Sequence, residues 1–153
     1  MARKAETTFI ASVHKRLAKE IHREKMNNPY RSGTADVWYS GYKSDLWIEY
    51  KFLPTLPKRI NTEIVLDLTE NQKLWLQNRH KEGRQVAVIC GCRAGGVVFI
   101  DLDWEDPITV EAFLSRVVTR QELAQWICAQ TGAALDGSNS NHLQNSRISQ
   151  SDL

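Results

Sequence analysis

The chain has 153 residues, 42% of them hydrophobic and 25% charged, with a formal net charge of +2. That suits one domain with one core, together with a tail. No apolar run approaches the roughly 20 residues of a membrane helix, and no apolar stretch follows the basic start of the chain, so neither a membrane span nor a secretory leader is expected.

The cysteines Cys90, Cys92 and Cys128 are odd in number and lack framework spacing, which argues against a disulfide scaffold. They read as small core residues of a reducing cytoplasm, in a bacterium or a phage-infected cell. No second pair exists to make zinc ligands of Cys90 and Cys92.

In chain order, Thr8 to Met26 reads as a helix with Phe9, Ile10, Val13, Leu17 and Ile21 as its apolar stripe, stopped by Asn27, Asn28 and Pro29. The first 25 residues carry seven Lys or Arg against three Glu, which fits a polyanion partner or a solvated helix face equally. Two short strands follow, Ala35 to Tyr39 and Asp45 to Phe52, joined by a turn at Gly41. On the second, Trp47, Glu49 and Lys51 face one way and Ile48, Tyr50 and Phe52 the other. A proline-bearing loop over Leu53 to Arg59 comes next, then an extended piece at Ile64 to Leu68.

Thr69 with Gln72 matches a capping box, and the helix it opens runs to Lys81 and stops at Gly83. Gln85 to Cys92 and Val97 to Leu102 form a hairpin around Ala94, Gly95 and Gly96. Val110 to Ala129 is helical, with a second start at Thr119 and a stop at Gly132. The domain is expected over 1–130, and the polar stretch 131–153 as a disordered tail. The order helix, strand, strand, helix, strand, strand, helix predicts an α/β fold with a central mixed sheet of about four strands flanked by helices.

Asp36 begins one strand, and Glu49 and Lys51 lie two apart on its neighbour, so two carboxylates and one amine converge if the hairpin forms. Carboxylates of this kind suit Mg²⁺, with the Tyr50 carbonyl between them as a further oxygen ligand. A lysine beside the metal can orient or deprotonate an attacking water. The bland alternative is a solvated Glu-x-Lys pair, which is common in strands. Asp101, Asp103, Glu105 and Asp106 read as a solvated strand end. Trp38, Tyr39, Trp47 and Trp75 read as core residues or as surfaces for stacking bases. Lys43, Lys58 and Arg59 are expected in loops near the site, on phosphates.

The stretch Gly33-Thr34-Ala35-Asp36, followed by Trp47-Ile48-Glu49-Tyr50-Lys51, resembles the PD-(D/E)xK nuclease superfamily, especially its small phage-type, Holliday-resolvase-like and VRR-NUC-like members. The resemblance covers about Phe9 to Asp101. It implies a restriction-endonuclease-like core and Mg²⁺-dependent cleavage of DNA, with Mn²⁺ as a substitute and Asp36, Glu49, Lys51 and Gln72 as catalytic residues. It further implies metal contacts from Asp36, Glu49, Tyr50 and His14, His14 being a helix position that RecB-like members use. Ala35 departs from the proline that often precedes the Asp. A homodimer is expected, since cutting two strands needs two sites. The rival expectation is a catalytically silent nuclease-like module that binds DNA or, as a phage factor, a host protein.

Overall fold

The computed structural model describes residues 2–26 and 32–132. Of the stretch 131–153, expected to be a disordered tail, Thr131 is instead the buried last residue of a helix that Gly132 caps, and 133–153 lies outside the described residues. The fold is mixed α/β: five strands in one sheet, flanked by four helices. The elements run α1 (Ala2–His14), β1 (His22–Lys25), β2 (Val37–Ser40), β3 (Asp45–Phe52), β4 (Glu63–Ile64), α2 (Glu70–Lys81), β5 (Val86–Cys92), β6 (Gly95–Phe99), β7 (Ile108–Thr109), α3 (Val110–Arg116) and α4 (Arg120–Thr131).

The first helix is the main correction to the sequence reading. It ends at His14, and the stretch expected to prolong it turns back and becomes an edge strand. Leu17 and Ile21 are buried as their spacing suggested, but a chain of tight turns carries them inward. Arg23 closes the helix end, donating to the carbonyls of His14 at 2.7 Å and Ala18 at 3.3 Å, carbonyls of the helix end and the turn after it. The strand His22–Lys25 then adds to β2, so the sheet has five strands where about four were expected.

The sheet order is β1-β2-β3-β5-β6. β3 and β5 are parallel, with α2 in the crossover between them, and all other neighbours are antiparallel. Every residue of β5 is buried, because helices cover both faces of the sheet there. One apolar cluster joins α1 and α4 to Val37, Tyr39, Ile48, Tyr50 and Ile89. A second, on the opposite face, joins Leu76 of α2 and Phe113 of α3 to Val88, Cys90, Val97 and Phe99. Cys90, Cys92 and Cys128 are buried free thiols, and burial pushes Cys90 up to about 12.

The helix starts follow local sequence. Thr69 and Thr119 each cap a helix through a complete capping box, with Gln72 and Glu122 as the returning side chains. The second of these splits the expected Val110–Ala129 helix into α3 and α4.

Candidate active site

β2 and β3 pair with Val37 opposite Ile48, so Asp36, one step earlier, comes level with Glu49. β2 ends its pairing there, and the backbone of Tyr50 faces the gap. The amides of Trp47 and Leu53 point to β5, so alternation turns the N–H and C=O of Tyr50 to the other side. Its N–H donates to Asp36 Oδ2 at 2.9 Å. That hydrogen bond fixes the carboxylate beside the strand that carries Glu49 and Lys51.

Glu49 lies opposite Val88 and Lys51 opposite Cys90 on the parallel neighbour, which puts both on the face covered by α2. The first turn of α2 then closes over them. Gln72 Nε2 donates to Glu49 Oε2 at 2.9 Å, and Lys51 Nζ donates to Gln72 Oε1 at 3.4 Å. Lys51 Nζ lies 3.8 Å from Glu49 Oε2. The structure therefore brings together Asp36, Glu49, Lys51 and Gln72.

Glu49 is 2% exposed; as a carboxylate its Oε1 finds no donor among the described residues, and when protonated it has the Asp36 carboxylate as a hydrogen-bond partner. Burial, and next the negative charge of Asp36, push its carboxyl up to about 9, against the opposing pull of Lys51. Alone, the site therefore holds a proton at neutral pH. A divalent cation would reverse that balance, supplying the positive charge that two adjacent carboxylates need. The orphaned buried oxygen and the all-oxygen donor set both fit a hard cation such as Mg²⁺. Among the described residues, no three His, Cys, Asp or Glu side chains converge as a metal-binding group. The protein's own donors would thus be two carboxylates and a carbonyl, with water and substrate oxygens completing the shell.

His14 is not brought to the carboxylates. Its Nε2 lies 2.7 Å from Tyr39 Oη, on the α1 side of the sheet, and Tyr39 Oη lies 2.6 Å from Tyr50 Oη. Burial lowers His14 to about 4, so it is a neutral partner for that hydroxyl pair. Burial also raises both tyrosines. Glu6 of α1, which the sequence reading counted only among the charges of the leading segment, adds its negative charge to the causes that raise Glu49. No local pattern could have revealed it, since 43 positions separate the two.

Other expected contacts are redistributed. Lys43 sits at the far end of the hairpin, against Thr131, because Asp36 and Lys51 lie at the opposite end of the same strands. Lys58 and Arg59 are exposed in the loop that leaves β3. Two of the acidic residues after β6 have basic partners: Asp103 pairs with Arg116 at 2.8 Å and Asp101 with His80 at 3.4 Å.

No protein-family model and no curated protein matches the sequence. Among solved structures, the fold is similar to that of Hjc from Archaeoglobus fulgidus, a Holliday junction resolvase from an archaeal hyperthermophile. The TM-score is 0.51 at 14% identity, over 81% of this chain and 98% of that one. The likeness is one of fold. No helix among the described residues is long and apolar enough to cross a membrane.

Proposed function

We propose that this chain is a metal-dependent endonuclease of the PD-(D/E)xK kind, hydrolysing phosphodiester bonds in DNA. The observation that carries the reading is the meeting of Asp36, Glu49 and Lys51 on one sheet face, with a buried Glu49 carboxylate oxygen that no donor among the described residues reaches. Asp36, Glu49 and the Tyr50 carbonyl would hold Mg²⁺, or Mn²⁺ in its place. The metal would supply Lewis-acid stabilisation of the phosphate and a bound water of lowered pKa. Lys51, anchored by Gln72, is placed to orient that water or to balance the charge growing on phosphorus. Gln72 holds the Glu49 carboxylate and the Lys51 ammonium at fixed separation. Branched DNA is the proposed substrate class, by analogy with the resolvase whose fold is shared. A homodimer is proposed with it, so that two strands can be cut.

A second reading keeps the fold without the chemistry, as a module that binds DNA or a host protein. A cleavage assay separates the two. Plasmid, linear duplex, single-stranded and four-way-junction DNA would be incubated with Mg²⁺, with Mn²⁺ and with chelator. Metal-dependent cutting that disappears in Asp36→Asn and Lys51→Ala supports the nuclease. Folded wild-type protein that cuts none of these substrates, or a Lys51→Ala protein that still cuts, overturns it.

A further inference from the structure

The first turn of α2 touches both sides of the carboxylate site through two successive residues. Gln72 reaches β3, where it bonds to Glu49 and Lys51. Asn71 lies about 100° round the helix from it and meets the segment that leads into β2. Its Nδ2 donates to Ser32 Oγ at 2.6 Å. Asp36 follows four residues after Ser32.

The same segment is seated on the helix by shape. Gly33 lies so close to the Asn71 backbone that a Cβ there would stand 2.5 Å from the Asn71 carbonyl oxygen. Its φ of +94° is one that residues with side chains seldom adopt. Beyond it, Ala35 is 1% exposed, and the Asp36 carbonyl accepts from the Met26 N–H at 2.8 Å. The chain from Ser32 to Asp36 is thus gripped at one end by α2 and at the other by Met26 and the Tyr50 N–H. So short a link has few torsions in which to absorb a shift at Gly33 before it reaches Asp36.

We propose that Asn71 and Gly33 are positioning residues that set the Asp36 carboxylate relative to Glu49, so that the first turn of α2 fixes the spacing of the two carboxylates and with it the affinity for a divalent cation. The cation clause rests on the metal-dependent reading above; the geometric clause does not. Asn71 acts on Asp36 through the loop, whereas Gln72 touches Glu49 directly. Mg²⁺ demands near-ideal octahedral geometry with bonds of about 2.0–2.1 Å, so a small change in carboxylate spacing costs it a ligand. A contact that merely held the loop down would lower the melting temperature when lost and leave the carboxylates in place.

The test takes two readouts on the full chain. In metal-free protein, amide hydrogen exchange is followed by NMR at Tyr50, whose N–H donates to Asp36 Oδ2, with the amides of β5, a strand paired on both sides, as the reference. Mn²⁺ affinity is measured by calorimetry. Asn71→Ala and Ser32→Ala remove the same hydrogen bond from its two ends. Each is expected to speed exchange at Tyr50 about tenfold, the low end for a hydrogen bond to a charged acceptor, and to leave the β5 amides unchanged. Each is also expected to weaken Mn²⁺ binding about tenfold. The double variant should lose no more than either single one, and Ser32→Thr, which keeps the hydroxyl, should match wild type. Gly33→Ala should produce the same two effects by displacing the loop, and Asn78→Ala, exposed on the same helix, should produce neither. Wild-type exchange at Tyr50 in folded Asn71→Ala and Ser32→Ala overturns the positioning role, and so do losses that add in the double variant. Faster Tyr50 exchange in the variants of a protein that binds no Mn²⁺ overturns the cation clause together with the nuclease reading and leaves the positioning of Asp36 standing. The expected Mn²⁺ losses in a protein that cuts no DNA would sink the catalytic reading while supporting the proposal.

Discussion

Gln72 holds Glu49 through a 2.9 Å hydrogen bond from its amide nitrogen, and with its amide oxygen it accepts from the Thr69 N–H at 3.0 Å. One side chain thus finishes the capping box of α2 and spans the carboxylate and the ammonium of the site. The start of the helix and the geometry of the Glu49–Lys51 cluster are mechanically one object.

Replacing Gln72 with alanine should therefore do two things that Thr69→Ala does not combine. Both changes should cost stability, Thr69→Ala by about 1 kcal/mol through loss of the cap. Only Gln72→Ala should also lower metal affinity or cleavage, by about 10- to 100-fold, the usual effect of removing an outer partner of a metal ligand. Melting curves and cleavage rates on the two variants check this. Equal activity loss in both would show that the cap, and not the contact with Glu49, matters.

The proton on Glu49 predicts an unusual pH dependence. Unfolded, the carboxyl ionises near 4.5; folded and without metal, it holds its proton to about 9. Between those values the folded state binds the extra proton, so this group's contribution to stability falls as pH rises, by up to about 1.4 kcal/mol per pH unit. His14 works in the opposite sense, losing stability as pH falls from 6.5 towards 4. Above pH 6.5 Glu49 acts without that offset. Glu49→Gln should flatten the decline between pH 7 and 9 in the metal-free protein, and Mg²⁺ should raise the wild-type melting temperature more at pH 8 than at pH 6. A variant with the wild-type slope would remove Glu49 as its source.

The hydroxyl pair under the sheet gives a third expectation. Tyr39→Phe removes the central member of the chain from His14 to Tyr50 and leaves polar atoms unpaired on both sides. The cost should be about 1–3 kcal/mol, read from urea or thermal unfolding. Tyr42→Phe is the control, since Tyr42 is 85% exposed and should change nothing measurable.

Arg23→Ala should also destabilise, because it uncovers the carbonyls of His14 and Ala18. Charge-assisted bonds of this sort are worth about 1.5–3 kcal/mol. Arg16, exposed after the same helix, offers the comparison: Arg16→Ala should cost less in the same unfolding experiment.

The parts of the fold that were legible in the sequence are those decided within a few residues. The period-two alternation of Trp47, Glu49 and Lys51 placed all three on one face, and the Thr69–Gln72 spacing and a cap at Thr119 marked two helix starts. The strand at His22–Lys25 was not legible. All four of its residues are polar, and it exists because β2 offers an edge. The helical spacing of Leu17 and Ile21 misled for a related reason, since turns can bury residues four apart as well as a helix can. The partner of His14 was hidden as well: Tyr39 is 25 positions away, and only the packing of α1 on the sheet brings them together.

The two margins of the sheet bear on how copies of this chain can associate. On one side, His22, Glu24 and Lys25 line β1 with exposed, charged or titratable groups, a common deterrent to further strand pairing. On the other, Gly96 of β6 exchanges both its backbone hydrogen bonds with Val118, at 2.9 Å each. Joining two subunits by running one sheet into the next is disfavoured at the first border and locally blocked at the second. A two-fold assembly would draw on helix and loop surfaces, so the separation of its two carboxylate clusters would be set by those surfaces instead of by the 4.7–4.9 Å repeat of paired strands.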